Sequence, residues 1–135
     1  MKLQGRKSVT VRNQFEALHR WGSSPGEVSF LSYPHRHVFV VMTTVAVDHG
    51  DRSVEFFCLK REIDELVRLF FFSTTPLPGV TFPPLNTDLG LPIISMSCED
   101  MAECFANALA EKNFQVQQVV VSEDNENAGV FTIIP

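Results

Sequence analysis

Cysteine is scarce in this chain. Cys58, Cys98 and Cys104 are odd in number and show no C-x-x-C spacing, which argues against a disulfide framework and for a reducing compartment. No stretch approaches the ~18 apolar residues of a membrane span, and residues 1–12 lack the apolar core of a secretory leader. A soluble, cytoplasmic protein with no membrane partner is the expectation. Positive charge is short as well: 11 Lys and Arg stand against 16 Asp and Glu, for a formal net charge of -5. Phosphate binding needs a concentrated cationic surface, so no nucleic-acid partner is expected. The basic residues that do cluster, Lys2, Arg6, Lys7 and Arg12, solvate the amino end.

What is present fits one globular domain spanning residues 1–135, with 44% hydrophobic and 20% charged residues and length enough for its own core. Residues 7–13 alternate Val9 and Val11 with polar residues, the pattern of a half-buried strand. Residues 35–47 form a longer, β-branched strand, apolar on both faces. A turn at residues 48–51 places His49 at an exposed hairpin tip, and residues 53–57 offer a short return strand. Leu59, Ile63, Leu66, Val67 and Phe70 recur at helical spacing and predict an amphipathic helix from residue 58 to about 71, with Cys58 at its start read as buried packing. Residues 72–96 hold Pro76, Pro78, Pro83, Pro84 and Pro92 and read as a long loop. Ser97 is a helix cap followed by Glu99 and Asp100, which opens a second helix with Met101, Phe105, Ala108 and Leu109 facing the core. Residues 115–121 and 128–134 complete the chain as two strands joined by a polar turn. The expected fold is α+β: a four-stranded antiparallel sheet in the order ββααββ with both helices on one face. The long strand's other face then needs cover, and a second copy of the chain is the economical candidate, giving a homo-oligomer.

The chain's four histidines are unevenly placed. His35 and His37 lie one residue apart on the long strand, so both rings project from the same face. His19 lies upstream at the end of Phe15-Glu16-Ala17-Leu18-His19. Three neutral imidazoles with an open fourth position make the ligand set of a working zinc site. A His-x-His pair also serves as a polar strand edge, and His19 as a solvated turn residue.

Five segments in order resemble the 6-pyruvoyl-tetrahydropterin synthase and 6-carboxytetrahydropterin synthase family, whose fold is called the tunnelling fold. Its F-x-A-x-H-R motif is similar to Phe15-Glu16-Ala17-Leu18-His19-Arg20, and its H-G-H-x-F motif to His35-Arg36-His37-Val38-Phe39. Its D-F-x-x-L-K segment resembles residues 55–60, its T-S-E resembles Ser97-Cys98-Glu99, and its pterin-holding carboxylate resembles Glu123. The resemblance implies zinc on His19, His35 and His37, a pterin- or purine-like ligand held by Glu123, and a barrel of several subunits. Outside the resemblance, Glu123 reads equally as a solvated residue of an acidic turn.

Departures from the pattern bear on catalysis. Bacterial members of the family place a cysteine four residues before the first histidine of H-G-H, and Leu31 stands there. Their L-D-H-H-x-L-N stretch corresponds to residues 80–86, which hold no titratable side chain. General acid-base catalysis needs a group able to exchange a proton within hydrogen-bond reach, and both usual suppliers are gone. The central glycine of H-G-H is Arg36, a cation that offers itself to an anionic ligand. Three readings follow. The first is a zinc-holding ligand-binding protein. The second is an active lyase or synthase of the tetrahydropterin or queuosine pathways, with Glu16, Tyr33, His49, Asp88 or Cys98 as substitute acid-base groups. The third is an assembly or inhibitor protein using the aromatic run Phe70-Phe71-Phe72 as an exposed contact surface.

Overall fold

Period-two alternation carries farther along the chain than expected. The first strand, β1, runs Ser8–His19 and pairs antiparallel with β2, His35–Ala46, in an unbroken register from Ser8 opposite Ala46 to His19 opposite His35. His19 is therefore a strand residue and not part of a turn. The structure, a computed structural model, describes residues 1–73, 83–86 and 88–135. Helix α1, Phe56–Val67, runs on into a π-helical turn at Arg68–Phe72. After it come β3, Leu85–Asn86, β4, Leu91–Ile94, helix α2, Cys98–Glu111, β5, Gln115–Glu123, and β6, Asn127–Thr132. A short 3-10 segment, Gly26–Ser32, links β1 to β2.

The expected four-stranded ββααββ sheet is corrected to six strands in the order β3-β4-β1-β2-β5-β6. Proline density had argued against strand in this stretch, yet the ladder bypasses the prolines. The Ile93 amide donates to the Pro84 carbonyl at 2.7 Å, and the Ile94 carbonyl accepts from the Arg20 amide at 3.0 Å. Pro92 thus has no ladder donor to lose there. β4 lies parallel to β1, with Ile94 opposite His19. The expected return strand at residues 53–57 is also absent. The Glu55 carboxylate accepts from the amides of Phe57 and Cys58, so the chain turns directly into α1. Those two amides hold the Glu55 carboxyl below its ordinary range. Cys58, on the first turn, is exposed rather than buried.

One core lies between the sheet and both helices. Phe15, Phe39, Val41, Val119 and Val121 meet Leu59 and Ile63 of α1 and Met101, Phe105 and Leu109 of α2. The aromatic run after α1 belongs largely to this core. Phe71 is buried and stacks on Phe15, and Phe70 packs on Phe105, which leaves Phe72 alone of the three exposed. The sheet's opposite face leaves Met42 and Val130 exposed. Among the described residues, no helix is long and apolar enough to cross a membrane.

Ser97 caps α2 as expected, its hydroxyl accepting from the Asp100 amide at 3.2 Å. Ser97→Ala is expected to lower the unfolding free energy by about 1 kcal/mol, read as a lower urea midpoint at unchanged slope.

Candidate metal centre

Strand parity and register alone bring the three histidines together. His19, His35 and His37 share parity with Phe15 and Phe39, so all point to the helix-covered face at one end of the β1-β2 ladder. One ring nitrogen from each lies within 4.8 Å of the others. Phe39, fully buried, forms the floor, with its ring edge-on to His19 at 5.5 Å and to His37 at 5.9 Å between centroids.

Each imidazole is also held from outside. His19 Nε2 lies 2.8 Å from the Met96 carbonyl oxygen, and His35 Nδ1 lies 2.9 Å from that of Tyr33. His37 Nδ1 lies 2.6 Å from Asp124 Oδ2. Carbonyl and carboxylate oxygens only accept, so the proton of each neutral ring is assigned to the outer nitrogen. The inner nitrogens then present lone pairs to one another. Outer partners of this kind are the usual orienting shell of metal-bound histidine, and a convergence of lone pairs is suited to a cation. By donor chemistry and spacing, these three residues could hold a metal ion.

Two acidic neighbours complete the group. β5 and β6 are joined by the three residues 124–126, of which Asp124 and Asn125 both have positive φ, 53° and 59°, and the Glu126 amide bonds the Glu123 carbonyl. This is the type I′ geometry that favours Asp and Asn. The turn is shorter than the sequence suggested, which makes Glu123 a strand residue opposite Phe39. Its carboxylate reaches His19 Nδ1 at 2.8 Å and His37 Nε2 at 3.5 Å. Asp124 accepts from the Val38 amide through its other oxygen at 2.8 Å. That amide, and then His37, hold the Asp124 carboxyl below its ordinary range.

Arg36 does not join the group. A residue between two same-face histidines must point to the other face, and Arg36 there pairs with Glu16. Glu16 lies with it on that face, opposite the histidines. Tyr33 contributes its backbone carbonyl and leaves its ring exposed. His49 and Asp88 are exposed in turns and outside the group. Cys98 does approach: its Sγ lies 3.8 Å from Glu123 Oε1. Burial, then the Glu123 charge, pushes its thiol up to about 12. Of the segment compared with L-D-H-H-x-L-N, residues 80–82 lie outside the described residues.

A cleft of about 430 Å³ opens beside His19, His35 and Glu123, with Trp21 and Leu31 as apolar wall and Arg20, Glu99 and Asp100 as polar rim. Its size suits a small heterocycle. Leu31, which stands at the family's cysteine position in the sequence comparison, lines this cleft.

The sheet order and helix placement define a tunnelling-type α+β fold, and comparison with known proteins agrees. The chain resembles the crystal structure of uncharacterized protein WS1659 from Wolinella succinogenes, with TM-score 0.61 and 14% identity over 97% of this chain and 100% of that one. It also resembles 6-pyruvoyl tetrahydropterin synthase from Caenorhabditis elegans, with TM-score 0.60 and 14% identity over 99% of this chain and 100% of that one. No family model matches the sequence, and no curated protein matches it. The likeness is one of fold.

Proposed function

We propose that this chain holds zinc on His19, His35 and His37 and takes a flat nitrogen heterocycle, a pterin- or purine-like ring, into the adjoining cleft without catalysing its conversion. The observation that carries the reading is the convergence of three imidazoles, one ring nitrogen of each within 4.8 Å of the others and each ring held by an outer oxygen. Zinc bound there would supply a Lewis acid able to polarise a ligand oxygen. The residues of the chain bind and orient: the imidazoles hold the ion, and Trp21 and Leu31 exclude water from one wall of the cleft. Glu123 offers two carboxylate oxygens that match a pair of N-H donors. The pterin named for the Caenorhabditis elegans neighbour suggests the ligand class. Leu31 lines the cleft and has no proton to move. Association of copies through the exposed sheet face belongs to the same reading.

Metal analysis of protein purified without chelator is expected to give about one zinc per chain, the stoichiometry of a three-histidine site. A pterin present at 100 times its dissociation constant is expected to stabilise the fold by ~2.7 kcal/mol in a thermal or urea titration. Absence of metal would overturn the zinc reading, and turnover of dihydroneopterin triphosphate would overturn the non-catalytic one.

A further inference from the structure

We infer that Trp21 is the stacking platform of the cleft, so that the site selects flat, fully unsaturated bicyclic rings, a pterin or a purine, over their reduced and puckered counterparts. The inference rests on the heterocycle reading above and deepens it. Trp21 is the chain's single tryptophan, and it lines the cleft beside His19 and His35. Its place there follows from the backbone. The Arg20 amide donates to the Ile94 carbonyl of β4 at 3.0 Å, and the Trp21 amide donates at 2.7 Å to the Leu31 carbonyl, in the segment that leads into β2. Successive amides turned to opposite neighbours are those of extended chain. The alternation of β1 therefore runs on past His19 and sets Trp21 on the same face as that histidine.

The indole is held as well as placed. Its Nε1-H donates to Ser23 Oγ at 3.1 Å, and the Trp21 carbonyl accepts from the Ser24 amide at 3.1 Å in the turn that follows. The one polar atom of the ring is thus satisfied within the chain. The side chain is nevertheless 47% exposed. With its donor engaged, what it offers a ligand is apolar surface and a π face. The bond from Trp21 to Leu31 also ties the two apolar wall residues to each other, so the wall is formed before a ligand arrives.

Stacking sets the selectivity. A bicycle unsaturated in both rings can lay its whole face on an indole, in the offset geometry that aromatic pairs favour. Reduction of the pyrazine ring of a pterin makes its two outer carbons tetrahedral and lifts that half out of the plane. The pyrimidine edge, with the N-H pair that suits Glu123, is the same in both forms. A difference in affinity between them therefore reports the platform and not the carboxylate.

Anaerobic calorimetric titration of the protein as purified, with pterin and with tetrahydropterin, tests this. The wild-type protein is expected to bind pterin at least about fivefold more tightly than tetrahydropterin, the lower end of what stacking on an aromatic side chain contributes. Trp21→Leu keeps an apolar wall and loses the flat ring. It is expected to bind pterin about 5- to 150-fold more weakly than wild type and to bind the two forms alike, while Trp21→Phe restores the preference. If Trp21→Leu fails to fold, Trp21→Met gives the same readout. Equal wild-type affinities, or a preference that survives in Trp21→Leu, would overturn the platform and leave the heterocycle reading standing. No binding of either form by the wild-type protein would remove the heterocycle reading and this inference together.

Discussion

His37→Ala is expected to emerge with almost no zinc while remaining folded. His37 Nδ1 is held by the Asp124 carboxylate at 2.6 Å, where His19 Nε2 and His35 Nδ1 meet backbone carbonyls, and a carboxylate partner raises its basicity as a ligand. Removing the ring takes away one metal donor and at the same time leaves Glu123 and Asp124 near each other with less cation between them. Affinity is expected to fall by more than ~100-fold, because removal of an outer partner alone costs 10- to 100-fold. Asp124→Asn supplies that comparison, and competition with a chromophoric chelator ranks wild type, Asp124→Asn and His37→Ala in descending affinity. Acid should act in the same direction, since imidazole must be unprotonated to bind metal. Full zinc occupancy in His37→Ala would place the metal elsewhere in the chain.

The histidine group was legible in the sequence because strand parity is strict. Once residues 35–47 are read as a strand, His35 and His37 must share a face, and the β1 alternation puts His19 on it too. The same parity sends Arg36 to the other face, where Glu16 waits. Adjacency to the two histidines in sequence says nothing of which face Arg36 takes; alternation does. Other parts of the site had no such signal. The Met96 carbonyl that holds His19 is backbone, which any residue supplies, and it arrives through β4, a strand hidden among prolines. By sequence Asp124 is one acidic residue of a polar turn; only the I′ geometry turns its side chain back onto Val38 and His37. Glu123 was found through resemblance, while its nearness to two imidazoles depends on the pairing of β5 with β2.

Gly129→Ala is expected to weaken both the fold and the metal site, although Gly129 touches no proposed ligand. A methyl added at Gly129 would lie 2.2 Å from the Glu99 amide nitrogen and 2.6 Å from the Cys98 carbonyl carbon, both backbone atoms of the first turn of α2. No side-chain rotation relieves such contacts, so the helix start must move off β6. A glycine inside a strand often marks a close approach of backbone, and here the approaching backbone sets the site. Met96, whose carbonyl holds His19, lies two residues before Cys98, and Cys98 itself donates to Glu123. Overpacking of this kind costs about 3 kcal/mol, read from the urea midpoint. Zinc affinity is expected to fall along with stability, because His19 loses its orienting carbonyl. Arg61→Ala makes the control: Arg61 is exposed on α1, outside the sheet, so its effect is expected to stay within about 0.5 kcal/mol with zinc affinity unchanged. A Gly129→Ala protein as stable and as tight for zinc as the wild type would show that the first turn of α2 does not hold the centre in place.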